Sequence, residues 1–330
     1  MIPNRLFLNQ PKRFWAYVRS ISQAVGYTVR GQGQIKVPSV EEMTGALTSL
    51  GLDARRLLRQ DGEPTKLGRT LGAYYAYRAD VLNNFVQSRL MTVDQARGLF
   101  SDFKARLQYT GPIPMNKQKG DKKAPSYLTA LINMLICSNI EGMACDYDPR
   151  ALTTVTNEGA PIRTLARRVD GAFPSAVNPI AVWEIKEYYY TTTFGSRVAD
   201  GVYETLLDGM ELEELRVNEG VNVLHYLMVD DHYTWWDCGR SYLCRILDML
   251  HMGYVDEALF GSEVVERLPT LAKGWVKLAR EIKGTSLPRC VRTTPGVPRR
   301  SSFPRRPEPQ ERGATHLQGS GSHHWKGACL

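Results

Sequence analysis

The sequence has no apolar run that approaches the roughly 20 residues needed to cross a bilayer. Its N-terminus, MIPNRLFLNQPKRFW, also lacks the apolar core of a signal peptide. These absences exclude a membrane protein with helical spans and argue against a secreted one. We therefore expect a soluble, cytoplasmic protein with no membrane partner.

The chain has only six cysteines, and no two of them form a CxxC pair. Their scatter predicts reduced thiols rather than a disulfide framework, in agreement with an intracellular protein. A zinc site made by Cys238 and Cys244 with His232 or His251 stays open, although the spacing is not that of a familiar zinc motif.

Acidic residues are scarce at both ends of the chain and abundant between them. Residues 1–125 contain 20 Lys and Arg against 9 Asp and Glu, residues 126–283 contain 14 against 23, and residues 284–330 contain 8 against 2. A basic segment joined to an acidic one suits an enzyme that holds nucleic-acid phosphates on one part and a cation on the other. The alternative is that the basic residues only solvate helix faces.

The basic residues 1–110 are predicted to form a mostly helical domain. Ser39 with Glu42, and Thr92 with Gln95, have the spacing of capping boxes at helix starts. Residues 54–60, ARRLLRQ, are expected to form a short helix after a Gly-containing turn. This pattern is compatible with a helix-turn-helix that places Arg55, Arg56 and Arg59 against DNA, although a plain helical hairpin has the same pattern.

Two segments without apolar periodicity bound the next domain. Residues 111–125, GPIPMNKQKGDKKAP, combine Pro, Gly and Lys and are predicted to be a linker. Residues 284–330 are dense in Pro, Arg, Gly and Ser, which predicts a disordered basic tail. Between them, residues 126–283 are predicted to be an α/β domain.

The most informative stretch of that domain is RRVDGAFPSAVNPIAVWEIKEYYY. Residues 180–186 are predicted to be an apolar strand on which Val182, Glu184 and Lys186 point to one face. Asp170 lies on a preceding candidate strand, residues 166–173, which a turn at Asn178 would bring back alongside. A carboxylate and an ammonium on a core strand are normally tolerated only when they are paired or bind a metal. The alternative is a solvated Glu–Lys pair on a surface strand.

The spacing of Asp170 and the Glu184-x-Lys186 motif resembles the PD-(D/E)xK nuclease superfamily, to which many type II restriction endonucleases belong. The resemblance covers about residues 126–229, and Val169 stands where the motif has Pro. It implies that Asp170 and Glu184 ligate Mg²⁺ and that Lys186 orients the attacking water. Glu141, at the end of the helix before the core strands, would be a third metal ligand, or else an exposed helix-end glutamate. Arg197 would contact the scissile phosphate.

We therefore expect an α/β, restriction-endonuclease-like core, with a central mixed sheet flanked by helices, behind a mostly helical DNA-binding domain. The expected function is Mg²⁺-dependent cleavage of double-stranded DNA, of the site-specific restriction or phage-defence type, by a homodimer. The alternatives are a nuclease of the same fold that acts on RNA or on branched or damaged DNA, and a noncatalytic DNA-binding protein.

Overall fold

The computed structural model describes residues 1–29, 31–118, 121–190 and 195–284. The predicted basic tail, from residue 285 onward, lies outside the described residues, as do the threonines at 191–193. Among the described residues, no helix is both long enough and apolar enough to span a membrane.

The N-terminal segment is built of helices, as predicted. They are α1 (Arg5–Leu8), α2 (Lys12–Val25), α3 (Val40–Ser49), α4 (Lys66–Asp80), α5 (Gln87–Arg89) and α6 (Val93–Arg106), with a π-helical turn, Val81–Val86, between α4 and α5. Both predicted capping boxes are confirmed: the hydroxyls of Ser39 and Thr92 accept hydrogen bonds from the amides of Glu42 and Gln95. Such boxes satisfy two amides that the helix itself leaves without partners.

The Arg-rich second helix of a helix-turn-helix is not formed. Residues 54–60 make turns and an isolated bridge between Leu58 and Pro64, so the predicted helix is wrong. The backbone carbonyls of this stretch are used elsewhere, because Thr65 donates its amide to Leu57 O at 2.9 Å and its hydroxyl to Arg56 O at 2.6 Å. A seven-residue helix has little stability of its own, and these contacts across the loop outweigh it.

The segment expected to be an irregular linker contains a hairpin. Strands β1 (Met115–Gln118) and β2 (Asp121–Pro125) pair antiparallel.

The centre of the fold is a mixed four-stranded sheet, which follows α7 (Tyr127–Cys137) and a hairpin of β3 (Thr154–Asn157) and β4 (Ala160–Thr164). Its strands are, in spatial order, β5 (Gly171–Phe173), β6 (Ala181–Lys186), β7 (Leu224–Val229) and β8 (Glu257–Phe260). β5 runs antiparallel to β6, whereas β6, β7 and β8 are parallel. The parallel connections carry helices α8 (Ser196–Glu219) and α9 (Arg240–His251), and α10 (Glu263–Gly284) follows β8.

Helices cover both faces of this sheet, which confirms a mixed sheet flanked by helices. On one face, Ala181 and Trp183 share a core with α7 and α10, and the Trp183 ring stacks on Trp275 with centroids 5.4 Å apart. On the other face, Val182 packs against Leu212 and other residues of α8. The alternation predicted for β6 is therefore correct, and it directs Glu184 and Lys186 towards α8.

The helical segment and the sheet segment share buried contacts. Arg78 of α4 is buried and forms an ion pair with Asp248 of α9 at 3.0 Å. Tyr74 donates its hydroxyl to the same carboxylate at 2.5 Å. Because a buried charge needs a partner, this ion pair joins α4 to α9.

Candidate functional site

Glu184 and Lys186 lie side by side at the carboxyl end of β6. Glu184 has no solvent-exposed surface and Lys186 is only 6 % exposed. The Lys186 ammonium donates to Glu184 Oε2 at 2.7 Å and lies 3.3 Å from Glu204 Oε2 of α8. The alternative of a solvated pair on a surface strand is therefore wrong, since both residues are buried beneath α8.

The close approach of α8 to Lys186 depends on Gly201. A methyl group on Gly201 would lie 2.6 Å from the Tyr188 hydroxyl and 3.1 Å from Cδ of Lys186. Tyr188 also donates its hydroxyl to the carbonyl of Arg197, in the first turn of α8. The start of α8 is thus held next to the end of β6, and Arg197 itself is exposed.

Asp170 is tied to the same strand by two hydrogen bonds, one from its amide and one to its carboxylate. Its amide donates to Trp183 O at 3.1 Å, and its carboxylate accepts from the Ile185 amide at 2.8 Å. Burial, with the nearby charge of Glu184, raises the pKa of Asp170 to about 6. The two predicted carboxylates therefore come together, as the sequence indicated, although the regular part of β5 starts only at Gly171.

Arg167 links three carboxylates at this site. Its guanidinium lies 2.9 Å from Glu184, 3.3 Å from Glu204 and 2.6 Å from Asp208. Asp208 of α8 is fully buried. We call Asp170, Glu184, Glu204 and Asp208, with Lys186 and Arg167, the carboxylate cluster.

Negative charge exceeds positive charge in the carboxylate cluster, because four carboxylates meet two cations. Burial and Glu184 raise the pKa of Asp208 to about 7, against the opposing effect of Arg167. Burial by itself would lower the pKa of Lys186, but Glu184 and Asp170 more than offset it, so that pKa is raised. The cluster therefore favours the uptake of a further cation, either a proton or a metal ion.

Two oxygens of the cluster are suited to such a cation. Glu184 Oε1 and Asp208 Oδ1 are buried and have no hydrogen-bond partner among the described residues. Mg²⁺ takes oxygen ligands and is commonly held through one or two carboxylates while it keeps several waters. Of the two residues predicted to ligate Mg²⁺, Glu184 offers such an oxygen, whereas Asp170 already uses Oδ2 to accept from the Ile185 amide. In the described part of the chain, no group of three or more His, Cys, Asp or Glu side chains is arranged to hold a metal ion.

The zinc site that the sequence left open, made by Cys238 and Cys244 with His232 or His251, is not among the described side-chain groups arranged to hold a metal ion. His251 faces the carbonyl of Leu247 through Nδ1 and accepts from the Asn4 amide through Nε2. His225, on β7, is a buried histidine whose Nδ1 faces Tyr254 O, and burial lowers its pKa.

Glu141, the candidate third metal ligand, belongs to a different ion pair. It follows α7, is exposed, and contacts the guanidinium of Arg280 of α10. Since α7 and α10 cover the Trp183 face of the sheet, the structure does not group Glu141 with the carboxylate cluster.

The candidate DNA-contacting arginines of the N-terminal segment lie in the loop between α3 and α4. Arg55, Arg56 and Arg59 are all exposed. Arg55 pairs with Asp53 at 3.0 Å, whereas Arg56 lines a cavity between α2 and α4. These three arginines do not share one helix face, so any contact with DNA would be made by a loop.

Sequence reasoning missed Arg167, Glu204 and Asp208 as members of the site. Asp208 left a signal, because it interrupts the series of buried positions on α8 that includes Thr205 and Leu212. A charged residue on the core face of an amphipathic helix needs a buried partner, here Arg167. The sequence contains no comparable signal for Arg167, which lies in irregular chain before Asp170.

Comparison with known proteins divides the chain into two matched segments. Residues 1–85 match a model described as "Domain of unknown function (DUF7690)", and residues 91–275 match one described as "Domain of unknown function (DUF7687)". No curated protein and no solved structure matches the chain. Because the second model covers more than half of the residues, the chain belongs to the family described as domain of unknown function DUF7687.

Proposed function

We propose that the protein is a Mg²⁺-dependent endonuclease acting on double-stranded DNA, and that the carboxylate cluster is its phosphodiesterase site. One observation carries this proposal: Asp170 and Glu184 converge next to a buried Lys186, in a cluster where carboxylates outnumber cations. A purely structural ion-pair network would be expected to balance its charges, because excess buried charge is destabilising.

The order of elements supports a restriction-endonuclease-like core. Helix α7 precedes the sheet, Asp170 immediately precedes β5, and β6 carries Glu184 and Lys186. Helix α8 then leads to the parallel strand β7. This order agrees with the resemblance to the PD-(D/E)xK superfamily that the motif suggests.

Four residues of the carboxylate cluster have distinct parts in the proposed reaction. Asp170 and Glu184 would hold Mg²⁺, which neutralises phosphate charge and lowers the pKa of a bound water. Lys186 has three donor hydrogens and would orient the attacking water. Arg167 presents a planar guanidinium, which suits two oxygens of a phosphate. Burial beneath α8 strengthens all of these electrostatic interactions.

The test compares Lys186→Ala with Lys277→Ala on plasmid and phage DNA in Mg²⁺. Lys277 is a matched control, because it is an exposed lysine on α10 with an i,i+4 partner. We expect Lys186→Ala to lower the cleavage rate by at least about a hundredfold, as the loss of one group that stabilises the transition state typically does. DNA binding in Ca²⁺ should be unchanged. Wild-type cleavage by Lys186→Ala would refute the assigned site.

The kind of nucleic acid that the protein cleaves distinguishes this proposal from the alternative functions. Ends at one repeated sequence would support site-specific cutting, and the pairing of cuts across a palindrome would support a homodimer. Cleavage of RNA or of branched DNA alone would replace duplex DNA as the substrate. Binding to DNA without cleavage in Mg²⁺ would show that the protein is a noncatalytic DNA-binding protein.

A further inference from the structure

A cavity of about 610 Å³ lies where the first turns of α2 and α4 meet the loop between α3 and α4. Its size is that of a pocket for a small organic ligand rather than for a single small ion. The residues that matter for its chemistry are Arg13, Phe14, Tyr17, Arg56, Lys66 and Leu67.

Three cations from three separate elements line this cavity: Arg13 of α2, Arg56 of the loop and Lys66 of α4. No carboxylate is among its lining residues, and all three cations are exposed. Within the described part of the chain none of the three forms an ion pair shorter than 4 Å with a carboxylate, although Arg56 is close enough to Asp53, which pairs with Arg55, for its charge to help lower the pKa of Asp53. Like charges that share a cavity without a counter-ion attract an anionic ligand.

The two helix starts add to this positive potential. Neither α2 nor α4 has an acidic residue in its first turn; the N-cap of α2 is Pro11, which has no polar side chain, whereas the hydroxyl of Thr65 caps α4. Helix N-termini carry a partial positive charge that favours phosphate groups. Both helices exceed twelve residues, so the effect is developed at each end.

The remaining wall is apolar and aromatic. Phe14 is buried, Tyr17 and Leu67 are half-buried, and all three face the cavity. An inorganic anion would leave this surface uncovered. A ligand that carries both a phosphate and a flat ring would cover it, because aromatic side chains stack on nucleobases of any sequence.

We propose that this cavity binds one nucleotide of a nucleic-acid strand, with its phosphate against Arg13, Arg56 and Lys66 and its base against Tyr17. This site is additional to the proposed cleavage site and does not depend on cleavage.

A strand is favoured over a free nucleotide by the surroundings of the cavity. Arg59 and Arg69 are also exposed in this part of the chain. Residues 1–125 as a whole carry 20 basic residues against 9 acidic ones. The phosphates on either side of the bound nucleotide would interact with this excess of basic residues, whereas a free nucleotide has no such phosphates.

The experiment measures binding of the full chain to a fluorescein-labelled 20-nucleotide single strand, in EDTA and at several salt concentrations. EDTA prevents Mg²⁺-dependent cleavage, so failure of the proposed nuclease activity would not affect the result. Arg56→Ala and Lys66→Ala are compared with Arg55→Ala. Arg55 is the matched control, because it is the neighbouring exposed arginine, it pairs with Asp53, and it does not line the cavity.

We expect Arg56→Ala and Lys66→Ala each to weaken binding by about threefold to tenfold and to reduce the salt slope by about 0.7, as loss of one phosphate contact on a single strand does. Tyr17→Leu should weaken binding by about fivefold or more without changing the salt slope, whereas Tyr17→Phe, which keeps the ring, should bind as the wild type does.

Equal effects of Arg56→Ala and Arg55→Ala would show that general surface charge, not the cavity, binds the strand. Unchanged binding by a folded Tyr17→Leu variant would refute the placement of the base. A deoxynucleoside monophosphate that binds the cavity when the single strand does not would refute the strand as the ligand.

Discussion

The raised pKa of Asp170 makes a quantitative prediction about metal binding. Asp170 must lose its proton to ligate Mg²⁺, and metal affinity falls wherever a ligand is protonated. With a pKa of about 6, Asp170 is ionised at pH 8 and about nine-tenths protonated at pH 5. The Kd for Mg²⁺ is therefore expected to rise about tenfold from pH 8 to pH 5. If Asp170 had the ordinary pKa of 3.8, the Kd for Mg²⁺ would change by less than about 10 % between pH 8 and pH 5.

The pH dependence of the Kd for Mg²⁺ reflects Asp170 alone only if no neighbouring charged group titrates over the same pH range. Glu184 and Lys186 come from β6 and Arg167 from the preceding chain, and Glu184 is the one that raises the pKa of Asp170. Asp208, with a pKa of about 7, would steepen the dependence if Mg²⁺ also required its carboxylate. The variant Asp208→Asn should then retain only the tenfold change that belongs to Asp170.

Isothermal titration of the full chain with Mg²⁺ alone, without DNA, between pH 5 and pH 8 measures this effect. Release of protons should also appear as a dependence of the binding heat on the ionisation enthalpy of the buffer near pH 6. An equal Mg²⁺ affinity at pH 5 and pH 8 would refute the placement of Asp170 in the metal site, or its raised pKa.

Two further predictions concern stability. The variant Asp208→Asn is expected to stabilise the protein at pH 8 by up to about 4 kcal/mol, since a pKa raised by about three units costs about 4 kcal/mol, and this net shift already includes the opposing effect of Arg167. Because the folded pKa of Asp208 lies above its unfolded value, wild-type stability falls as pH rises from about 4 to 7. In urea denaturation, the free energy of unfolding of the variant should fall less between pH 5 and pH 8 than that of the wild type. An equal fall in both proteins would contradict the raised pKa of Asp208. The variant Gly171→Ala is expected to destabilise the protein by about 3 kcal/mol, because the new methyl group would lie 2.1 Å from the Trp183 ring. A thermal midpoint equal to that of the wild type would contradict this packing.

Features that depend on neighbours along the chain were predictable from the sequence. The capping boxes of α3 and α6 join residues three positions apart, so a short stretch contains all the partners. The alternation along β6 likewise follows from strand geometry, and it correctly placed Glu184 and Lys186 on one face. Asp170 was predictable in the same way, because the chain turns back within a few residues of it.

Features that depend on distant partners required the tertiary structure. The Arg-rich stretch had the composition of a helix, but hydrogen bonds from Thr65 to its carbonyls gave it a loop. Strand β8 is formed by pairing with β7, which lies about thirty residues earlier in the chain. Arg167 and Asp208 are 41 residues apart, and only the packing of α8 on the sheet brings them into contact. The sequence therefore identified two carboxylates and the lysine of the carboxylate cluster, whereas the fold decided how strongly they are buried and which charges surround them, because burial and charge pairing depend on residues far apart in the chain.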